Sequence, residues 1–249
     1  MKKYAIIVFT KINLLTILVL SFVQNNLFFG QIVTSNNQNN SALISNQNEL
    51  YFFGSSRFTN RRLLENEGLF GEEIGIRVQE EGKWKSSYGI GLRTQLMPRF
   101  VLDMGFAYDQ NAEFFSFSEA DSLYEYTSSY RHIAVPFQVG FTIGKTVSFV
   151  YTMGIQPKAF ISQKQEIRFL DQDGFEVTEK VIIKDGYNQF LLDLIVRTGC
   201  VFKISPKTGA FLMTEGFYQF TNNYTIQGPY KRFPFGIGVS AGISFFLDN

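Results

Sequence analysis

His132 is the only histidine in the chain, so any histidine-dependent chemistry must pass through it. Ser128 and Ser129 lie close by. Together they offer the hydroxyl–imidazole pairing that activates a serine for attack on an ester, the chemistry of a lipid-modifying enzyme. The spacing weighs against that use, because Ala134 rather than a serine sits two positions along on the same strand face. An inward histidine held in a polar network is the simpler expectation. Asp171-Gln172-Asp173-Gly174 has the acidic residues of a calcium loop without the spaced ligands, and reads as a turn. Cys200 is the only cysteine, which excludes an internal disulfide and a cysteine metal cage. No pattern calls for a cofactor or a metal, and a non-enzymatic protein is expected.

The remaining ionisable side chains make sense only through the elements that carry them. From Phe235 to Leu247, bulky apolar residues occupy one parity, while Gly236, Gly238, Ser240, Gly242 and Ser244 occupy the other, with Phe246 the exception. Successive strand side chains point to opposite faces. A soluble sheet would put charge opposite its apolar face; here the second face is nearly bare. That suits the crowded inside of a small closed barrel whose outside meets lipid. Ten residue steps at about 3.3 Å, tilted by about 40°, project to roughly 25 Å, the height of a transmembrane apolar band.

The same alternation recurs at 71–79, 84–96, 100–108, 132–143, 147–155, 188–204 and 208–220. Its bare or polar face carries Arg77, Lys85, Arg93, Asp103, His132, Gln138, Asp193, Arg197 and Glu215, the expected interior polar network. Three-residue turns at 97–99, 144–146 and 205–207 would set Arg93 opposite Asp103, Phe141 opposite Phe149, and Arg197 opposite Glu215. Phe211, Met213 and Phe217 fall on the inner parity and blur the pattern there. Long connections at 110–129, 162–186 and 222–232 alternate with the short turns, so the long ones belong on the cell exterior. The first outer connection, around 80–83, reads as short. An Asp173-Gly174 turn predicts a projecting hairpin within 162–186.

The chain as a whole fits this reading. Its 249 residues allow one large β domain, and 23 basic against 22 acidic residues leave no field for nucleic acid. Lys2, Lys3 and Lys11 precede an apolar run from Ile12 to Val23, too short to span as a helix. Residues 1–30 therefore read as a cleaved signal peptide, with Gly30 at the cleavage site. Residues 31–67 begin Asn- and Gln-rich and read as a periplasmic extension, with the barrel over 68–249. The fold expected is all-β: a transmembrane antiparallel up-and-down β-barrel of about eight strands. A chain with such a barrel belongs in the outer membrane of a Gram-negative bacterium, in contact with outer-membrane lipid. Its expected role is structural or interactive, through loops 110–129 and 162–186 that meet an envelope or extracellular protein or glycan. A narrow solute or ion channel is the first alternative, and a lipid-modifying enzyme using His132 the second.

Tyr126…Tyr130-Arg131-His132-Ile133-Ala134-Val135-Pro136, followed by Gly154-Ile155-Gln156-Pro157-Lys158-Ala159-Phe160, resembles strands of the PorT-like small outer-membrane barrels of Bacteroidetes. The resemblance covers roughly 70–249 and includes the Gly30-Gln31 cleavage site. Ala134 stands where an acidic residue is common. The chain also ends without the terminal aromatic that barrels present to the assembly machinery, a role left to Phe246. The resemblance implies an outer-membrane location and no single activity.

Overall fold

A computed structural model describes residues 48–64, 79–119, 122–170, 174–225 and 231–247, all within one compact unit, Ile44–Asn249. The signal-peptide reading at 1–30, the alternating stretch 71–78 and Arg77 lie outside the described residues.

Ten antiparallel strands follow in chain order: β1 (Asn48–Leu64), β2 (Glu81–Met97), β3 (Phe100–Glu119), β4 (Ser122–Ala134), β5 (Phe137–Gly144), β6 (Val147–Leu170), β7 (Glu176–Ile183), β8 (Phe190–Lys203), β9 (Thr208–Gln219) and β10 (Lys231–Leu247). They form one sheet that closes in a ring of eight. Two limbs of the ring are interrupted. β4 and β5 both lie between β3 and β6, as halves of a single descending limb. The break falls at Val135-Pro136, where proline has no N–H to give the ladder. Val135 N–H instead donates to the Pro157 carbonyl at 2.9 Å, and the Pro136 carbonyl accepts from Gly105 N–H at 3.1 Å. Likewise β7 and β8 run in succession along one edge of β6.

β1 corrects the reading of 31–67 as an extension. Asn48–Leu64 pairs along its whole length with β10 and over Asn48–Thr59 with β2, and so closes the ring. The strand that follows β1 begins at Glu81, so residues 81–83, expected in the first outer connection, belong to β2. Alternation hid this strand. Tyr51 and Phe53 point inward and Phe52 outward, so both faces carry aromatics.

The registers follow the hydrophobic pattern. Leu92 meets Met104, Tyr88 meets Tyr108, and Arg93 meets Asp103. Arg197 meets Glu215. Phe141 pairs with Tyr151 instead of Phe149. That two-residue slip keeps every side chain on its expected face, because the strand period is two. The hairpin expected within 162–186 is present: β7 pairs with the outer half of β6 from Gln163↔Ile183 to Leu170↔Glu176, and Gly174 takes a φ of 81°, while Asp171–Asp173 lie outside the described residues.

Outward positions form an apolar belt that includes Phe52, Ile90, Phe106, Val139, Leu212 and Ile243, all exposed. Inward positions hold rings against bare backbone. A Cβ added to Gly242 would stand 2.6 Å from the Phe211 ring, one on Gly236 2.7 Å from Phe217, and one on Gly89 2.8 Å from Phe53. Phe211, Met213 and Phe217 are thus lumen fillers, which accounts for the blurred pattern of β9. Phe246 also turns inward, against Gly209 and beneath the Lys203 ammonium. It therefore does not present the terminal aromatic on the lipid face.

Candidate functional site

Small closed barrels are filled by side chains, and burying charge in them costs several kcal/mol per ion unless it is paired. Here the pairing forms three tiers. Nearest the short turns, Arg93 lies 2.9 Å from Asp103 and 3.0 Å from Glu49, and the Tyr51 hydroxyl donates to Asp103 at 2.5 Å. The middle tier is a continuous chain. Lys158 bridges Asp193 at 2.5 Å and Asp109 at 3.2 Å. Arg57 reaches from Asp109, at 2.5 Å, to Glu215, which Arg197 also holds at 3.2 Å. This path leaves β8, crosses β6, β3, β1 and β9, and returns to β8. The upper tier joins Arg232 to Glu113 through a 2.6 Å hydrogen bond, with the guanidinium 3.9 Å above the Tyr130 ring. Arg61 links Glu113 at 3.6 Å to Glu80 at 2.5 Å.

Of the residues expected inside, Arg93, Asp103, His132, Gln138, Asp193, Arg197 and Glu215 are all buried there. Gln138 accepts from the Thr152 hydroxyl at 2.7 Å. Lys85 is a correction. β2 shifts register against β3 between Gly82 and Tyr88, which frees the lysine from strict alternation. It lies half-buried among Lys83, Arg131, Lys164 and Glu166, and not in the lumen chain. Arg57, Lys158, Glu49, Glu113 and Arg232 escaped the sequence reading, whereas Asp109 shares the inward parity of Asp103. Arg57 and Glu49 lay in the stretch taken for an extension. Lys158 was legible only as the same-face neighbour of Gln156, whose parity continues that of Thr152.

His132 is fully buried, with its ring edge 5.8 Å from Phe160, and neither nitrogen has a side-chain partner. Ser128 instead accepts from the Gln163 amide at 3.2 Å. The hydroxyl–imidazole pair of the sequence reading is not assembled. At the short-turn end a vestibule of about 410 Å³ opens among Arg99, Lys145, Lys203 and Phe246, and it reaches inward to Glu49 and Arg93 of the first tier.

At the opposite end the sheet continues past the belt. On β3 the continuous outward apolar run ends at Tyr108, with Gln110 next on that face, yet the strand runs on to Glu119. At about 3.3 Å per residue that is roughly 35 Å of further strand. β3, β4, β6 and β7 are neighbours there. Phe117, Tyr124, Phe169 and Val177 form one rung on the face that continues the lumen wall, and Phe115, Tyr126 and Ile167 form the rung below. Phe115 stacks on Tyr126 with ring centroids 5.3 Å apart.

An inside-out ring, greasy outside and ion-paired within, satisfies every backbone group in lipid without an edge. The chain is an outer-membrane β-barrel. No family model and no curated protein matches it. Among solved structures it is similar to the outer membrane protein OprG of Pseudomonas aeruginosa, at 7% identity and a TM-score of 0.48, over 82% of this chain and 97% of that one. It is similar to Ail of Yersinia pestis, solved with the heparin analogue sucrose octasulfate, at 12% identity and a TM-score of 0.34, over 80% and 99%. It is also similar to the outer membrane protease OmpT of Escherichia coli, at 8% identity and a TM-score of 0.42, over 84% and 99%. At these scores the assignment rests on ring closure and the inverted side-chain pattern. The expectation of a non-enzymatic chain is withdrawn, because structures similar to this one include a protease and the fold does not decide the point.

Proposed function

We propose that this protein is a sealed barrel whose work is done outside the membrane, by the sheet that β3, β4, β6 and β7 raise above the lumen. The single observation that carries this reading is the rung Phe117–Tyr124–Phe169–Val177, which spans four strands where no barrel core requires it. Aromatic and apolar groups arrayed on a rigid sheet are the usual anchors of a protein or glycan partner. Phe117 and Tyr124 remain exposed to one. The ion-paired lumen favours this role over a channel, since solute would have to displace the Lys158–Asp109–Arg57–Glu215 chain. The strand resemblance at Tyr130–Pro136 supports placing the protein with the PorT-like barrels, and insertion by the barrel-assembly machinery follows from that placement.

Photo-crosslinking on intact cells tests the role. A crosslinking residue in place of Phe117 or Tyr124 should capture one discrete partner that a lipid-facing probe at Val239 does not. Identical patterns from all three positions, or none from the sheet, would refute it.

A further inference from the structure

The outer wall changes character abruptly at the top of the belt. On the limb formed by β4 and β5, outward residues run Ile143, Phe141, Val139, Phe137, Val135 and Ile133, and the next outward residue is Arg131. On β6 the outward apolar run ends at Ile161, and Lys164 follows. On β2, Lys85 and Lys83 lie just past Tyr88, which stacks on Tyr108 at 5.2 Å. Tyr108 in turn pairs with Ile133, so these basic residues share one level.

Their charges are unevenly matched. Glu166 holds Lys164 at 2.7 Å and Lys180 at 3.7 Å. Lys83 donates to the Thr127 hydroxyl at 3.0 Å and sits 4.8 Å over the Phe114 ring. Among the described residues, no carboxylate ion-pairs with Lys83, Lys85 or Arg131. Lys85 lies within the field of the like charges Lys83, Lys164 and Arg131 and of the opposing Glu166. Crowded cations at a membrane boundary are stabilised by an anion from outside the chain, and lipid phosphates lie at that height. Directly above is a hollow of about 330 Å³, whose lining includes the cations Lys83, Arg168 and Lys180, the carboxylates Glu125 and Glu166, the hydroxyls of Thr127 and Thr178, and the rings of Phe114 and Tyr126. Its hydroxyls, mixed charges and two aromatic rings suit a sugar better than an acyl chain.

We propose that Lys83, Lys85 and Arg131 bind the phosphate of a phosphorylated glycolipid headgroup in the outer leaflet, with the headgroup sugar seated in the hollow over Phe114. This site is on the outer wall, separate from the Phe117–Tyr124–Phe169–Val177 rung, and it rests only on the assignment of the long hairpins to the cell exterior. Bound lipid would brace β2, β3, β4 and β6 where the projecting sheet leaves the membrane.

The test uses the full refolded protein in detergent micelles, with native mass spectrometry and a fluorescent displacement assay. The probes are bisphosphorylated lipid A, the same lipid with its phosphates removed, and inorganic phosphate. The proposal expects retention of the phosphorylated lipid only, and a loss of at least about tenfold in affinity for Lys83→Gln/Lys85→Gln/Arg131→Gln, as charge-driven lipid binding implies. Lys145→Gln, at the short-turn end of the barrel and far from the hollow, should bind like the parent. Heat-modifiable gel migration establishes that each variant is folded. Equal retention of the dephosphorylated lipid, or unchanged binding by the folded triple variant, would overturn the proposal. Full displacement of the lipid by inorganic phosphate would assign the site to a free anion and would equally overturn it. None of these outcomes bears on crosslinking from Phe117, so the two readings fail separately.

Discussion

Arg57 is the keystone of the lumen, and its removal gives the sharpest energetic test. The middle tier contains three cations, Arg57, Lys158 and Arg197, and three carboxylates, Asp109, Asp193 and Glu215. Arg57→Met leaves two cations for three carboxylates in a site closed to water. Asp109 keeps Lys158 and Glu215 keeps Arg197, so neither carboxylate is orphaned, yet one negative charge is uncompensated. Breaking a buried pair in this way costs about 3–5 kcal/mol. Adding Glu215→Gln restores the balance and leaves an amide oxygen for Arg197. The double variant should therefore recover about 2 kcal/mol, within the range of coupling between residues in contact. Urea titration of the refolded barrel in phospholipid vesicles measures both values. The only tryptophan, Trp84, is half exposed on the outer wall and reports the transition. An Arg57→Met loss under about 1 kcal/mol, or a double variant as unstable as the single one, would show that the ion chain does not support the lumen as argued.

Two further outcomes follow from the fold. A Cβ at Gly91 meets only the Tyr51 ring and hydroxyl among its nearest atoms. Gly91→Ala should therefore cost about 1–3 kcal/mol through overpacking, and adding Tyr51→Leu should return part of it, as read by the same urea titration. Ser56 and Val239 are register partners on β1 and β10. Cysteines at both, in a Cys200→Ser background, should form a disulfide in the folded protein, since paired residues of antiparallel strands stand about 4.5–5.5 Å apart. Failure to crosslink would contradict closure of the ring by Asn48–Leu64.

The barrel was legible because lipid inverts the usual burial rule so strongly that plain alternation survives on most strands. The ion pairs Arg93–Asp103 and Arg197–Glu215 were legible because the short turns set the register. β1 was not, since the lumen takes Tyr51 and Phe53 as readily as lipid takes Phe52, and no alternation remains. With β1 went Arg57 and Glu49, and so the link between Asp109 and Glu215. Glycines on β2, β9 and β10 are matched to rings on other strands, a fact of three dimensions that no single strand records. Lys85 was misplaced for a local reason: an extra residue in β2 between Gly82 and Tyr88 undoes the parity on which the inward assignment depended.

The central claim is that side chains seal the lumen and function lies above it. Conductance of the purified, refolded protein in planar bilayers tests this most directly. The account predicts no steady stepwise current. Reproducible conductance steps that change in size on Arg57→Met would place a conducting path through the Arg57–Asp109–Glu215 tier and contradict it.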